Sequence, residues 1–291
     1  MRGGQYQTLL LLSGLAEGGY RQVLLAREGS PLWQAANAAG HRVLPATLRH
    51  LWHWSRSPDT VVHAHDARAH TLAAVVPGIR LVVSRRVAFP LNQSFPSRWK
   101  YRRAKQYLAV SCFVRDVLIN AGIPPQKIDV VYDGVELPST NAPWNAEGPI
   151  MALGSSDPGK GRDLVQQAAA LAEVDVLYSD DLLRDLRRAS MFVYLTRSEG
   201  LGSAALLAMS MGVPMIASRV EGLAETFIHN ESGLYVQNEA EEVAGAIRRL
   251  RSDRELALRL AKGGRARIEE HFTKERMVNS TISVYKRVLA R

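Results

Sequence analysis

The stretch SEGLGSAALLAMSMGVPMIASRVEGLAE, residues 198–225, constrains the fold more than any other part of the chain. An acidic residue and a glycine loop lead into an apolar, small-residue helix. A Gly-Val-Pro turn ends it, a short apolar strand follows, and a second glycine loop closes at Glu225. This is a loop, helix, strand, loop unit of an α/β domain, and both loops flank the strands where such sheets bind ligands.

The same alternation runs through the chain. Residues 22–27, 60–65, 80–86, 106–111 and 127–134 read as strands, and 5–17, 31–39 and 112–122 as helices. Strands 149–155, 174–179 and 191–196 then alternate with helices 162–172 and 180–189, and helices 239–250, 253–271 and 273–291 finish the chain. Such spacing predicts parallel sheets wrapped by helices. Residues 138–149 (PSTNAPWNAEGP) carry Pro, Ser, Asn and Gly without apolar periodicity, a linker composition. The expected organisation is one domain over 1–140, a second over 146–272 and a terminal helix over 273–291.

A length of 291 residues suits two cores. A single cysteine, Cys112, excludes an internal disulfide framework and suits a reducing cytoplasm. The formal net charge of +9 favours an anionic partner. Near the start, TLLLLSGLA imitates a signal peptide, but Gln5, Tyr6 and Gln7 interrupt it and no cleavage site follows. A glycine loop, Arg2-Gly3-Gly4, entering a helix is the expectation. No run reaches the roughly 18 apolar residues of a membrane span.

Four groups of residues could carry chemistry. GSSDPGKG, residues 154–161, sits between a strand and a helix and has Gly, four residues, Gly-Lys. A P-loop would need Ser or Thr where Gly161 stands, so what survives is a glycine turn from Gly154, Lys160 and a helix N-terminus, which together favour phosphate. Glu199 with Gly200, Gly202 and Ser203 offers a carboxylate to sugar or ribose hydroxyls and donors to phosphate; Gly222 and Glu225 stand in the second loop. HAHDARAH places His63 and His65 on one face of a strand, with Asp66 at its end and His70 on the next helix. His-x-His is also a metal-ligand spacing, but no further His or Cys motif accompanies it, so substrate binding or a backbone partner is the preferred reading. Lastly, Arg85, Arg86, Arg98, Lys100, Arg102, Arg103 and Lys105 interleave with Phe95, Trp99 and Tyr101. A solvated helix face, an anionic-lipid contact and, weakest, a nucleic-acid patch compete for that run.

Together these features resemble glycosyltransferase family 4, most closely over 152–160 and 198–225. The resemblance implies an α/β GT-B fold, two Rossmann-like domains facing a cleft, whose C-terminal domain holds a nucleotide-sugar and whose last helix crosses back to the first domain. It implies sugar transfer with retention, without metal or other cofactor, in cell-envelope polysaccharide or glycolipid synthesis. By position, Gly3 and Gly4 would face the donor phosphates, His65 would match the cleft histidine beside the transferred sugar, and Lys160 the diphosphate-binding lysine. Glu199 would match the first glutamate of the signature, and Gly222 and Glu225 the later glycine loop.

Three departures stand out. The second glutamate of the signature is Leu207. The arginine that commonly partners the lysine is Ser155, or Ser156 in a shifted register. The strand that should precede the glycine loop is missing, leaving a gap in the first sheet, as is part of the usual stretch between Leu171 and Leu182. The leading expectation is a retaining hexosyltransferase-type enzyme using a nucleotide-sugar and an acceptor that is lipid-linked or membrane-proximal, working in the cytoplasm at the anionic inner membrane face, with no nucleic-acid partner. A degenerate GT-B protein that binds nucleotide-sugar or a partner without catalysis is the alternative, and a related epimerase or phosphorylase the third.

Overall fold

The computed structural model describes residues 3–92, 94–138 and 144–290. Arg2 of the anticipated glycine loop, residues 139–143 of the anticipated linker and Arg291 lie outside them. The chain forms two compact units, Met1–Gly134 with Lys274–Arg291, and Val135–Thr273.

In the first unit α1 (Gly3–Glu17), β1 (Leu24–Ala26), α2 (Pro31–Ala38), β2 (Val43–Pro45), α3 (Leu48–Ser55) and β3 (Val62–Ala64) come in order. They are followed by α4 (Ala67–Ala74), β4 (Leu81–Arg85), α5 (Phe95–Arg103), β5 (Gln106–Ala109), α6 (Cys112–Asn120) and β6 (Ile128–Val130). The second unit opens with β7 (Ile150–Leu153), α7 (Arg162–Leu171), β8 (Val176–Ser179), α8 (Leu182–Asp185) and β9 (Met191–Tyr194). It continues with α9 (Ser203–Ser210), β10 (Met215–Ser218), β11 (Leu234–Val236), α10 (Ala240–Ser252) and α11 (Arg254–His271). The last helix, α12 (Lys274–Leu289), rejoins the first unit.

Local chemistry sets many boundaries. Ser30, Thr47, Asp66 and Ser111 each accept a bond from the third amide of the helix that follows, satisfying a donor that the helix leaves unpaired. The elements without a sequence signal were β2, α3 and β11: three residues are too few to display a period, and α3 (LRHLWHWS) buries only Leu51.

All strand pairs are parallel. The second unit has one five-stranded sheet, in the order β11-β10-β9-β7-β8. The first unit has two pieces, β1-β2 and β3-β4-β5-β6, and among the described residues no strand precedes α1. Among the described residues its strands therefore form two separate pieces.

The glycine-loop expectation is corrected. Gly3 and Gly4 form the first turn of α1, with the Thr8 hydroxyl donating to the Gly4 carbonyl at 2.9 Å. They extend a helix that is buried over most of its length, from Gln7 to Leu15. Leu10, Leu11 and Leu15 pack with Val82 of β4, Leu108 of β5 and Met277, Val278, Val284 and Val288 of α12. Leu12 packs instead with Leu24 and Ala26 of β1 and Ala36 of α2. A helix apolar around its girth is stable only when covered on several sides, and α1 is the element that joins both sheet pieces. Gly14 sets its approach to α12, because a Cβ there would overlap Val278 Cγ2. Gly14→Leu should cost about 1–3 kcal/mol by overpacking. In chemical denaturation Val278→Ala should recover part of that loss; strict additivity of the two changes would show that the helices do not meet there.

Candidate active site

The winding of the second sheet locates its ligand site. From β7 the chain runs through α7 to β8 on one side, then crosses to β9 on the other side of β7 and continues to β10 and β11. The carboxyl ends of β7 and β9 therefore flank the point where the winding reverses, and there the two outgoing loops diverge and leave a crevice.

The loop after β7 is built by its own side chains. Asp157 Oδ1 accepts from the Gly159 amide at 2.8 Å, Ser155 Oγ accepts from the Asp157 amide at 3.2 Å, and Pro158–Lys160 make one tight helical turn. Gly154 lies where a Cβ would meet Ser179 O at 2.6 Å, so β7 and β8 close together at that end. The Arg197 amide donates to the Gly159 carbonyl at 3.0 Å, tying this loop to the one after β9. Across that seam Lys160 Nζ meets Glu199 Oε2 at 2.7 Å. The Tyr194 hydroxyl donates to the same oxygen at 2.6 Å and lies 3.4 Å from Lys160 Nζ. Burial, then the Glu199 charge, pushes the Tyr194 phenol well above its ordinary value, so it stays a donor. Glu199 Oε1 accepts from the Gly200 amide at 3.1 Å.

The second glycine loop locks onto the first. A Cβ at Gly222 would overlap the Glu199 carbonyl oxygen, while φ there is −67°, so close approach rather than backbone conformation demands glycine. Gly202 has φ of 99°, in the left-handed region, and turns the chain into α9, whose first residue is Ser203. Thr226 Oγ1 donates to the Leu201 carbonyl at 2.7 Å, and Arg267 of α11 donates to the carbonyls of Thr226 and Glu225. Asn238 joins the ends of β9 and β10: its Nδ2 donates to Thr196 O at 3.1 Å and its Oδ1 accepts from Ser218 Oγ at 2.6 Å.

The amides at the start of α7 and α9 have no side-chain cap. Uncapped helix N-termini with a lysine beside them form an anion site, since unpaired N–H groups and the helix dipole both favour negative charge. Leu207 lies one turn into α9, partly buried, with no polar atom to offer a ligand. Arg162 stacks over the Tyr178 ring at 4.2 Å, and Arg197 is exposed.

In the first unit, His63 is hydrogen-bonded at both ring nitrogens, Nδ1 to the Tyr285 hydroxyl at 2.6 Å and Nε2 to Ser84 Oγ at 2.8 Å. His65 stacks beside it, ring centroids 4.0 Å apart. Asp133 Oδ1 holds Arg86 Nε at 2.7 Å, and Arg86 Nη1 lies 3.3 Å from His65 Nδ1. A guanidinium can only donate, so His65 Nδ1 accepts and the ring proton resides on Nε2. Burial, then the neighbouring His63 and Arg86, keep His65 well below its ordinary value and therefore neutral. Gly4 also flanks Arg86; a Cβ there would lie 3.9 Å from its Cδ. His70 is a core residue, bonded to the Lys100 carbonyl at 3.2 Å and edge-on to Tyr101, with a pKa lowered to about 4 by burial.

The structure thus gathers Lys160, Glu199, Gly200, Gly202, Ser203 and Gly222 around one crevice, while Gly4 and His65 share Arg86 in the other unit. Gly3 is exposed at the helix start, and Glu225 closes the turn Leu223–Glu225. Tyr194, Asn238 and Asp133 escaped sequence reasoning, and Arg86 was read only as part of the basic run, not as a partner of His65. Their one legible signal was position, a polar residue at or just beyond the end of an apolar strand.

Comparison with known proteins agrees with this architecture. The family described as Glycosyltransferase Family 4 matches residues 1–138, and that described as Glycosyl transferases group 1 matches residues 157–267. The chain belongs to the group 1, family 4 glycosyltransferases, and its fold is GT-B. The capsular polysaccharide biosynthesis glycosyltransferase CapM of Staphylococcus aureus is 29% identical over 101 residues, 34% of this chain and 27% of that protein. N-acetyl-alpha-D-glucosaminyl L-malate synthase of Bacillus anthracis is 29% identical over 111 residues, 38% of this chain and 29% of that protein. The match spans under a third of the length of these curated relatives. Among solved structures, HepE of Anabaena in complex with UDP and glucose superposes with a TM-score of 0.81 at 14% identity, over 98% of this chain and 96% of that one, a likeness of fold.

Two outcomes test this geometry. Burial, then the Arg86 charge, lower the His63 pKa from 6.5 to about 3. The unfolded chain therefore takes up a proton that the folded chain refuses, so stability is full above about pH 6.5 and is lost as pH falls toward about 3. Melting temperature against pH should be flatter across that window in His63→Asn; an unchanged slope would exclude His63 as its source. Gly222→Ala should lower stability by about 1–3 kcal/mol, because its Cβ would overlap the Glu199 carbonyl oxygen. A wild-type melting temperature in calorimetry would contradict the interlock of the two loops.

Proposed function

We propose that this chain transfers a sugar from a nucleotide-sugar to an acceptor hydroxyl, with retention of configuration and without a metal. The observation that carries the reading is the Lys160–Glu199–Tyr194 cluster at the switch point, beside two uncapped helix N-termini. On this reading the donor diphosphate binds Lys160 and the amides at the starts of α7 and α9, with Ser203 as a further donor. Glu199, released in part from Lys160, accepts sugar hydroxyls, and Gly222 and Glu225 shape the wall beside it. His65, whose ring proton Arg86 confines to Nε2, is the residue assigned to donate to the sugar. The bond between the anomeric carbon and the diphosphate oxygen breaks as the acceptor oxygen bonds that carbon from the same face. The departing phosphate oxygen takes the acceptor's proton. Lys160 and the amides stabilise the charge that grows on the leaving group. The acceptor is lipid-linked, and the chain works peripherally at an anionic membrane.

Leu207 and Ser155 favour a second reading, a protein that binds nucleotide-sugar without turnover. Neither side chain carries a charge, and Ser155 Oγ is engaged by the Asp157 amide. A thermal-shift and hydrolysis screen against UDP-, GDP- and ADP-sugars separates the two. UDP-glucose comes first, given the UDP and glucose held by HepE. Stabilisation with slow sugar release supports transfer, and Lys160→Ala should slow release about 10²–10³-fold. Stabilisation with no release supports the binding protein. Release undiminished in Lys160→Ala would overturn the role of Lys160.

A further inference from the structure

From residue 67 to residue 115 the chain carries ten Lys and Arg residues and not one Asp or Glu. Within that stretch lie Val87, Phe89, Phe95 and Trp99, which are 42%, 65%, 81% and 43% exposed. Helix α5 buries no residue at all. Its attachment is one-sided. Arg103 Nε donates to the Ala74 carbonyl at 3.0 Å and Nη2 to Val76 O at 3.2 Å, while Lys100 Nζ donates to Thr71 Oγ1 at 3.3 Å, all toward α4 and its exit. Spaced three and four apart, Phe95, Arg98, Trp99 and Arg102 share one strip of the helix, and all four are exposed; the Arg103 guanidinium borders it, 6.0 Å from the centre of the Trp99 ring.

A protein rarely leaves such a strip in water without a use for it. Phenylalanine rings have no polar atom, so inserting them is favourable only where an apolar phase receives them. Two guanidiniums on the same strip would meet phosphate headgroups as the rings enter the acyl boundary. Charge complementarity selects an anionic bilayer, and each such cation strengthens partition about fivefold.

We propose that the outward strip of α5, with Val87 and Phe89 beside it, docks this chain on an anionic lipid bilayer. The proposal deepens the reading that the acceptor is lipid-linked, but its test needs no donor and no turnover. The full chain is floated with vesicles of phosphatidylcholine, alone or mixed with phosphatidylglycerol. Binding should occur only to the mixed vesicles and weaken with salt. Phe95→Ser with Trp99→Ser should lower it about tenfold or more, and Arg98→Gln with Arg102→Gln should remove most of the salt dependence. Because these side chains are exposed, melting temperature should not change in either variant. Equal binding to both vesicle types, or none, would overturn the proposal. So would binding that survives Phe95→Ser with Trp99→Ser and is abolished by heparin at equal charge, which would mark a general polyanion patch. Loss of vesicle binding in these variants with unchanged donor hydrolysis would separate this surface from the site on the second unit.

Discussion

Contact between loops at backbone distance is the constraint on which the candidate site depends. Gly222 rests against the carbonyl of Glu199, and the Arg197 amide holds the carbonyl of Gly159. Neither contact uses a side chain, so no change of rotamer can undo either. They bring three loops, leaving three neighbouring strands, to one place, and Lys160, Tyr194 and Glu199 meet there. Asn238 and Arg267 add the outer bracing, from beyond β11 and from α11.

On the proposed reading, the Lys160–Glu199 ion pair has a chemical meaning. Lys160 without an anion is partnered by Glu199, whose second partner is Tyr194. A diphosphate bound there would compete for the ammonium, and the freed lone pairs of Glu199 would become available to hydroxyl groups. Binding one part of a donor would thereby prepare the group that reads another, and the cost of separating the pair becomes part of the selectivity. The first unit holds a comparable relay in Asp133, Arg86 and His65, where an acceptor, a donor and a neutral ring are ordered so that a single proton position remains.

The two units solve burial differently. The second has a continuous sheet and a core of strand residues under α7, α10 and α11. The first has an interrupted sheet, and α1 with α12 substitutes for what a continuous sheet would supply. The leucines of α1 accordingly face both sheet pieces and α12, and its glycine at position 14 faces a valine rather than solvent.

The alternation of apolar strands with helices, their parallel class and the residues of both glycine loops followed from sequence alone, because side-chain periodicity and turn chemistry are local. Lys160, Glu199, Gly202 and Gly222 were legible for the same reason: each stands in a loop whose composition announces it. Sequence could not place Tyr194 against Glu199, Arg86 against His65, or the glycines of residues 3 and 4 inside a helix. Those depend on which strands become neighbours and on how much apolar surface covers α1, and both are properties of the assembled sheet. Only tertiary structure brings together residues far apart in the chain, and it is there that a lysine, a carboxylate and a phenol become one site.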